Sequence, residues 1–528
     1  MHTSSLSNLF KEFPQFSPND FNIDPKISFL TADSRKVLPG SLFVAMSGGT
    51  ADGHRYIPSA ISNGAVAIVG ELEILDLPIP YIRVDNSRKV LAFLSAAFYD
   101  FPARKLNMIG VTGTDGKTTT SNIIYQILLA AGYKTGMIST VNAVIGSDIL
   151  DTGFHVTTPD APDVQLYLSK MVEAGLTHVV LETTSHGWAQ NRVDACEFDI
   201  GVITNITHEH LDYHGTYENY RDAKANLFKS LSEVHSKAHG NIQLSVLNKD
   251  DSSYEFLKSV SKTRHVSYGL SSDADLFAHN IVYSLNGVRF KVGGSGYNFD
   301  VETALYGTYN IYNCLAAISV ALFGFGIEPE IIIQGIKNLL GVPGRMERID
   351  LGQEFSAFVD FAHTPNALKV SLETARKLLE NRPNLKSQPG RLISVFGSAG
   401  LRDKDKRRMM AEVSAQLANI SIITAEDPRT ESLDGILQEM IDGAVKMGGV
   451  EGRSVWRVRD RGDAIRLAIK FSQPGDLVIA CGKGHEQSMC FGTTEYLWDD
   501  RTAMKAALSE HLKVQGPTMP FLPTQVKP

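Results

Sequence analysis

Residues 111–120 read VTGTDGKTTT. The stretch looks like a phosphate-binding loop with irregular spacing. The common pattern places a glycine five residues before the glycine of GK[ST], and position 111 is valine. Its surroundings carry the reading. Met108, Ile109 and Val111 predict a buried strand before the loop, and Ile123, Ile124, Ile127, Leu128 and Ala131 fall on one helical face after it. Gly113 and Gly116 let the backbone aim its N–H groups inward, and the helix start adds partial positive charge. Lys117 supplies a point charge for outer phosphates, and the Thr118 hydroxyl is placed to reach a magnesium ion. A structural glycine turn has no need of a lysine followed by three threonines. The stretch therefore reads as an ATP or GTP site, with Thr114, Asp115 and Thr119 completing the loop.

Working outward, the 528 residues exceed one ordinary core and suggest about three domains. The composition, 43% hydrophobic and 21% charged, is that of a globular protein. A net charge of −7 argues against a nucleic-acid partner, while a small anionic substrate depends on local cations instead. Cys196, Cys314, Cys481 and Cys490 are scattered without a CxxC pair, so reduced thiols are expected. The N-terminus lacks a basic segment followed by an apolar one, and no apolar run reaches the roughly 20 residues of a membrane span. A cytoplasmic monomer is expected.

Three regions separate. Residues 1–104 hold short apolar segments such as SLFVAM and AVAIVG, closed by a linker around Pro102. Residues 105–340 alternate strands (NMIGVTG, THVVLE, DIGVITN) with helices (PDVQLYLSKMVEAG, YRDAKANLFKSL), which predicts a parallel sheet covered on both faces. Residues 341–528 repeat the alternation in RLISVFG, ISIITAE and DLVIACG, an open α/β sheet whose ligands belong at the C-terminal strand ends. The proline-rich terminus QGPTMPFLPTQVKP reads as a loose tail.

Two further features carry chemistry without any family in view. Glu182 ends the THVVLE strand, where a carboxylate either holds a hard cation or is simply solvated. THEHLDYH offers His208, His210 and His214; a zinc site is conceivable, but no cysteine or HExxH partner accompanies them.

GVTGTDGKTTT resembles the ATP loop of the Mur ligase family, whose usual form is GTNGKTT, with Asp115 in place of asparagine. The resemblance covers nearly the whole chain. It runs in order through TADSRKV, ADGHRYIP, HVTTPDAPD, LETTSHGWAQNRV, TNITHEHLDYHGTYENYRDAKANLF, GTYNIYN, GVPGRMER, VDFAHTPNAL, GLRDKDKRR, EDPRTE and GKGHE. It implies a small N-terminal UDP-substrate domain, a central P-loop ATPase-like domain and a C-terminal Rossmann-like domain. It also implies an ATP-dependent ligase that adds the third peptide residue, a diamino acid, to UDP-N-acetylmuramoyl-L-alanyl-D-glutamate in peptidoglycan precursor synthesis.

The family's site residues carry over by motif. Glu182 and His210, with Thr118, would hold magnesium, and Lys224 matches a lysine carried as its carbamate (N6-carboxylysine). Bottom-up, Lys224 is an ordinary helix lysine. Arg345, Asp360 and His363 resemble positions that meet ATP, and Asn310 and Asn313 residues near the adenine. Ser34 and the loop Gly49, Thr50, Ala51 would cradle the UDP end. Thr157, Thr158, Thr184, Gln190 and Arg192 would surround sugar and peptide; Arg192 also has independent logic as a fork for a carboxylate or phosphate. Val156 and Thr184 depart from the more usual Asn and Ser.

The acceptor would meet Arg402, Glu426, Asp427, Pro428, Arg429, Gly482 and Glu486. Diaminopimelate-adding relatives usually read DNPR where this chain reads EDPR. Ionised Asp427 cannot donate to a distal carboxylate and suits a distal ammonium, whereas Arg429 favours a carboxylate. The motif is split, leaving meso-diaminopimelate and L-lysine or L-ornithine open. Two other functions compete: a folylpolyglutamate-synthase-like amide ligase, which the UDP-type first domain disfavours, and a non-catalytic scaffold, which the presence of Lys117 and Lys224 disfavours.

Overall fold

The computed structural model describes residues 2–13, 23–48, 52–150, 157–207, 209, 211–284, 286–380 and 390–525. They form two compact units. One comprises residues 1–277 and 312–335, the other residues 278–311 and 336–528.

The first unit opens with a four-stranded parallel sheet in the order Phe29–Thr31, Ser41–Val44, Ala65–Gly70, Tyr81–Arg83. Helix Ser87–Phe98 starts at Asn86, whose side chain accepts from the Lys89 N–H, and buries Val90, Leu91, Leu94 and Phe98. The linker predicted around Pro102 is a 3₁₀ turn, Pro102–Lys105. It leads into strand Asn107–Thr112, buried from Met108 onward because both faces are covered. This strand lies at the centre of a parallel array: Thr135–Ile138, His178–Glu182, Asn107–Thr112, Ile200–Ile203, Leu244–Asn248, Arg264–Gly269. The register sets Glu182 opposite Val111 and Ile203 opposite Thr112, so neighbouring strands end beside the loop. Helix Lys117–Ala130 follows, with Ile123, Ile124, Ile127 and Leu128 buried on the predicted face. Each contributes about 1.5–3 kcal/mol by leaving water.

The second unit carries the sheet Glu347–Ile349, Ser356–Asp360, Leu477–Cys481, Leu392–Phe396, Ile420–Ile423, Val455–Arg457, parallel except at its first pair. It also contains the antiparallel strands Gly287–Gly294 and Tyr297–Thr303, which strand–helix alternation did not foresee. A hairpin, Ser488–Phe491 with Thr494–Leu497, follows the last parallel strand. The tail is not loose up to residue 525. Leu522 is fully buried and the Thr524 hydroxyl donates to Asp460 at 2.8 Å, because proline-rich chain with one apolar anchor can pack without a regular element. All four cysteines are free thiols. Among the described residues no helix is long and apolar enough to cross a membrane.

One buried pair ties the strand ends of this unit together. The Arg461 guanidinium is fully buried and donates to both carboxylate oxygens of Asp500, at 2.7 and 2.6 Å. It also reaches the carbonyls of Ala425 at 3.3 Å and Cys481 at 2.7 Å. Arg461→Met leaves Asp500 buried without its counter-ion, and a loss of about 3–5 kcal/mol is expected. Denaturant unfolding of the variant against the parent checks it.

Candidate functional site

The loop is held by the next strand end. The Thr114 N–H donates to the Asn205 carbonyl at 2.8 Å, the Asp115 N–H to Asn205 Oδ1 at 3.0 Å, and the Thr204 hydroxyl to the Asp115 carbonyl at 2.5 Å. Gly113 (φ 149°) and Gly116 (φ 82°) take conformations that favour glycine. A Cβ at Gly113 would overlap the Thr204 hydroxyl, and one at Gly116 would crowd Asn313 Oδ1. Gly116 caps the helix without any side-chain bond, so the first N–H groups of the helix are not capped by its side chain. The Thr114 hydroxyl bonds the Tyr220 hydroxyl at 2.9 Å and accepts the Thr207 N–H at 3.0 Å.

Two lysine amines converge on one carbonyl. Lys117 Nζ donates to the Gly113 oxygen at 3.0 Å and to that of Thr114 at 2.8 Å; Lys224 Nζ reaches the Gly113 oxygen at 2.7 Å. Lys224, on helix Tyr217–Ser230, is only 2% exposed. Bottom-up an ordinary helix lysine, it is instead turned inward, beneath the loop. Burial, then the charge of Lys117, drive the Lys224 amine well below the ordinary lysine range.

Glu182 is not a solvated strand end but fully buried. Its Oε2 accepts the Thr118 hydroxyl at 3.1 Å and the Thr140 hydroxyl at 2.9 Å. The carboxylate and two hydroxyls are hard oxygen donors of the kind magnesium takes alongside phosphate and water. Thr119 is buried next to them. His210, His208 and the Gly49–Ala51 loop lie outside the described residues, as does Val156. Among the described residues no three His, Cys, Asp or Glu side chains cluster as a metal site.

Thr158 is fully buried and joins the same strand end. Its hydroxyl donates to the Glu182 carbonyl at 3.1 Å, accepts the Thr184 N–H at 3.0 Å and lies 3.1 Å from the Thr184 hydroxyl, which caps helix Ser185–Ala189 through the Gly187 N–H. Arg192 donates to Gln190 Oε1 through Nε and Nη2, at 3.0 and 2.7 Å, and to the Thr158 carbonyl at 2.7 Å. Its Nε also lies 3.2 Å from Asp160. Thr157 precedes this group. Ser34 opens the 3₁₀ turn Ser34–Lys36, and its carbonyl accepts from Asn63 at 3.0 Å. Asn313 accepts from Thr120 at 3.2 Å beneath the loop, while Asn310 belongs to the other unit and donates to the Tyr306 carbonyl at 2.6 Å.

In the second unit the expected residues gather at the C-terminal strand ends. The Arg345 guanidinium lies 4.5 Å over the Phe361 ring, with His363 and His485 rings 4.5 and 4.8 Å from Phe361. Burial, then the nearby Arg345, push His485 down to about 3, so it is neutral. Asp360 accepts the Met346 N–H at 2.7 Å, the Ala362 N–H at 3.0 Å and the Ser371 hydroxyl at 2.7 Å. It fixes the backbone around Arg345. Glu426 is buried, and burial pushes its carboxyl up to about 7 against the pull of Lys406, Arg461 and Lys483. Asp427 meets Lys483, a residue the sequence reading passed over although it stands inside GKGHE; Lys483 also contacts Glu486. Pro428 lies between Asp427 and Arg429, and Gly482 begins the segment that carries Lys483. Thr140, Thr204, Asn205 and Tyr220 were also missed, since only the fold brings them to the loop.

Loop, buried carboxylate and strand-end cations define a protein that handles phosphates and carboxylates. Comparison with known proteins places it within a family. Residues 26–99 match "Mur ligase family, catalytic domain", residues 111–321 "Mur ligase middle domain" and residues 344–484 "Mur ligase, glutamate ligase domain". The chain is 40% identical to a UDP-N-acetylmuramyl-tripeptide synthetase of Roseiflexus sp. over 92% of its length and 96% of that protein's. It is also 40% identical to a UDP-N-acetylmuramoyl-L-alanyl-D-glutamate--2,6-diaminopimelate ligase of Bacillus cereus, over 97% and 99% of the two chains. A solved structure of a ligase with the latter name superposes with a TM-score of 0.66 at 28% identity, covering 97% and 99%. The chain belongs to the Mur ligase family, and the three-domain α/β architecture expected from sequence is that of the family.

Because the folded Glu426 carboxyl lies above its ordinary 4.5, its stabilising contribution is complete below that value and is lost as pH rises through about 7. Glu426→Gln should remove ~3 kcal/mol of this pH-dependent loss, read from denaturant unfolding at pH 5 and pH 8.

Proposed function

We propose that this chain is an ATP-dependent ligase joining a diamino acid to the D-glutamyl carboxylate of UDP-N-acetylmuramoyl-L-alanyl-D-glutamate. The observation that carries the reading is the convergence of Lys117 and Lys224 on the Gly113 carbonyl, at 3.0 and 2.7 Å, inside a loop whose backbone is set for phosphates. The relatives' names supply the precursor and the diamino acid as those proteins' substrates.

A carboxylate and an amine do not condense in water without activation. The D-glutamyl carboxylate oxygen attacks the γ-phosphorus of ATP, ADP departs, and an acyl phosphate remains. The acceptor amine then attacks the acyl carbon, loses a proton, and phosphate leaves with its C–O bond. The chain's part is positioning and charge neutralisation. Loop N–H groups and Lys117 hold the phosphates, with Thr114, Asp115 and Thr119 shaping the cradle. Thr118 and Glu182, with His210 by resemblance, would hold magnesium, which when bound neutralises phosphate charge. Arg192 and Gln190, with Thr157, Thr158 and Thr184, serve the sugar–peptide part, and Ser34 with Gly49, Thr50 and Ala51 the UDP end. By resemblance Arg345 and His363 meet ATP, and Asn310 and Asn313 lie near the base.

The depressed Lys224 amine gives up its proton more readily than an ordinary lysine, and a neutral amine is the form that adds CO₂. Its nitrogen bonds the CO₂ carbon, one proton leaves to solvent, and a carbamate anion replaces a neutral amine beside Lys117. Incubation with ¹³C-bicarbonate should give a carbamate resonance that is absent in Lys224→Ala.

Phosphate release should require ATP, the UDP-dipeptide and the diamino acid together, and Lys117→Ala should lower kcat/KM by about 100-fold or more. Release that ignores the precursor, measured by a coupled phosphate assay, rules the assignment out.

A further inference from the structure

We propose that Lys483 is a specificity-determining residue: it cancels the charge of Asp427, so that the acceptor pocket selects a diamino acid with a distal carboxylate. The inference deepens the ligase reading above and rests on it.

Taken from sequence, Asp427 argues for a distal ammonium. The structure supplies that ammonium from within the chain. The Lys483 side chain is fully buried, and its Nζ lies 3.1 Å from each Asp427 oxygen and 2.5 Å from Glu486 Oε2. Asp427 Oδ1 accepts the Cys490 N–H as well, at 2.9 Å. Both Asp427 oxygens are therefore engaged, and the side chain is 10% exposed. Glu486 and Asp427 hold the Lys483 amine above the ordinary range despite burial, so it stays charged.

The opposite holds for the arginines. Arg429 (φ 53°) is clamped through its backbone to the hairpin: its N–H donates to the Cys490 carbonyl at 3.1 Å and its carbonyl accepts the Gly492 N–H at 2.8 Å. The Gly400 N–H donates to the Asp427 carbonyl at 2.9 Å, which ties in the turn that carries Arg402. Among the described residues no carboxylate pairs with the guanidinium of Arg402 or Arg429. These two cations are left for a ligand carboxylate, and Arg presents a fork suited to one. Glu426 adds at most one negative charge near neutrality. Removing the Lys483 charge shifts the balance by one unit towards any ammonium the acceptor brings, and frees Asp427 to receive it.

The test uses the full chain with ATP, magnesium and the UDP-dipeptide, and measures kcat and KM separately for meso-diaminopimelate and L-lysine, with product masses. The parent should favour meso-diaminopimelate. Lys483→Met should shift the ratio of kcat/KM towards L-lysine by about tenfold or more, chiefly through KM, as removal of one buried charge partner does. In the double variant Asp427→Asn/Lys483→Met the shift should vanish. A parent that favours L-lysine, a Lys483→Met variant that loses both acceptors equally, or a shift that survives in the double variant overturns the inference. If Lys483→Met does not fold, Asp427→Asn decides: a cancelled Asp427 costs L-lysine turnover less than about threefold, whereas direct contact with the acceptor's ammonium costs about tenfold or more and overturns the proposal. Absence of product with either acceptor in the parent removes the ligase reading itself, and the inference with it.

Discussion

The chemistry of the first unit depends on the position of one carbonyl, that of Gly113. It sits where the central strand gives way to the helix, and it accepts from Lys117 and Lys224 together. Its place follows from register. Because Glu182 lies opposite Val111 and Ile203 opposite Thr112, the two neighbouring strands stop beside the loop and add Glu182 on one side and Thr204 on the other. Thr204 closes on the space a Gly113 side chain would need. The loop's irregular spacing is thus no loss: bonds from Thr204 and Asn205 fix the backbone that a longer glycine loop would leave to itself.

That arrangement concentrates positive charge, and burial makes the concentration costly. A second protonated amine at 2% exposure beside Lys117 is disfavoured, so Lys224 releases its proton more readily than an ordinary lysine. In the second unit the same rule gives the reverse result: Lys483 and Arg461, equally buried, stay charged because carboxylates meet them. Whether a buried cation is reactive or inert is decided by its partner, not by its depth.

The elements were largely legible from periodicity. Apolar runs of strand length alternating with amphipathic stretches gave the parallel strands of both sheets, since buried parallel strands show no competing polar signal. The antiparallel strands Gly287–Gly294 and Tyr297–Thr303 were not legible: the first buries adjacent residues and so breaks the alternation, and the second alternates but carries few apolar side chains, Tyr297, Phe299 and Val301. The phosphate loop was legible because its chemistry is local: glycines, lysine and threonines act within a few residues. Lys224 was legible only through the family resemblance, being 111 positions from Gly113 with nothing else in its own helix to mark it. Thr140, Tyr220 and Arg461 likewise have nothing local to mark them.

Asp427 shows most plainly where sequence reading stops. A carboxylate read alone is a demand for a cation, and the natural inference assigns the cation to the ligand. The fold answers the demand internally, with a lysine 56 residues away, past the end of a strand two places across the sheet. Charge in a motif therefore specifies a ligand only after the chain's own counter-ions have been placed. Here they leave Asp427 engaged and Arg429 open, and the pocket's preference follows from the residue left open.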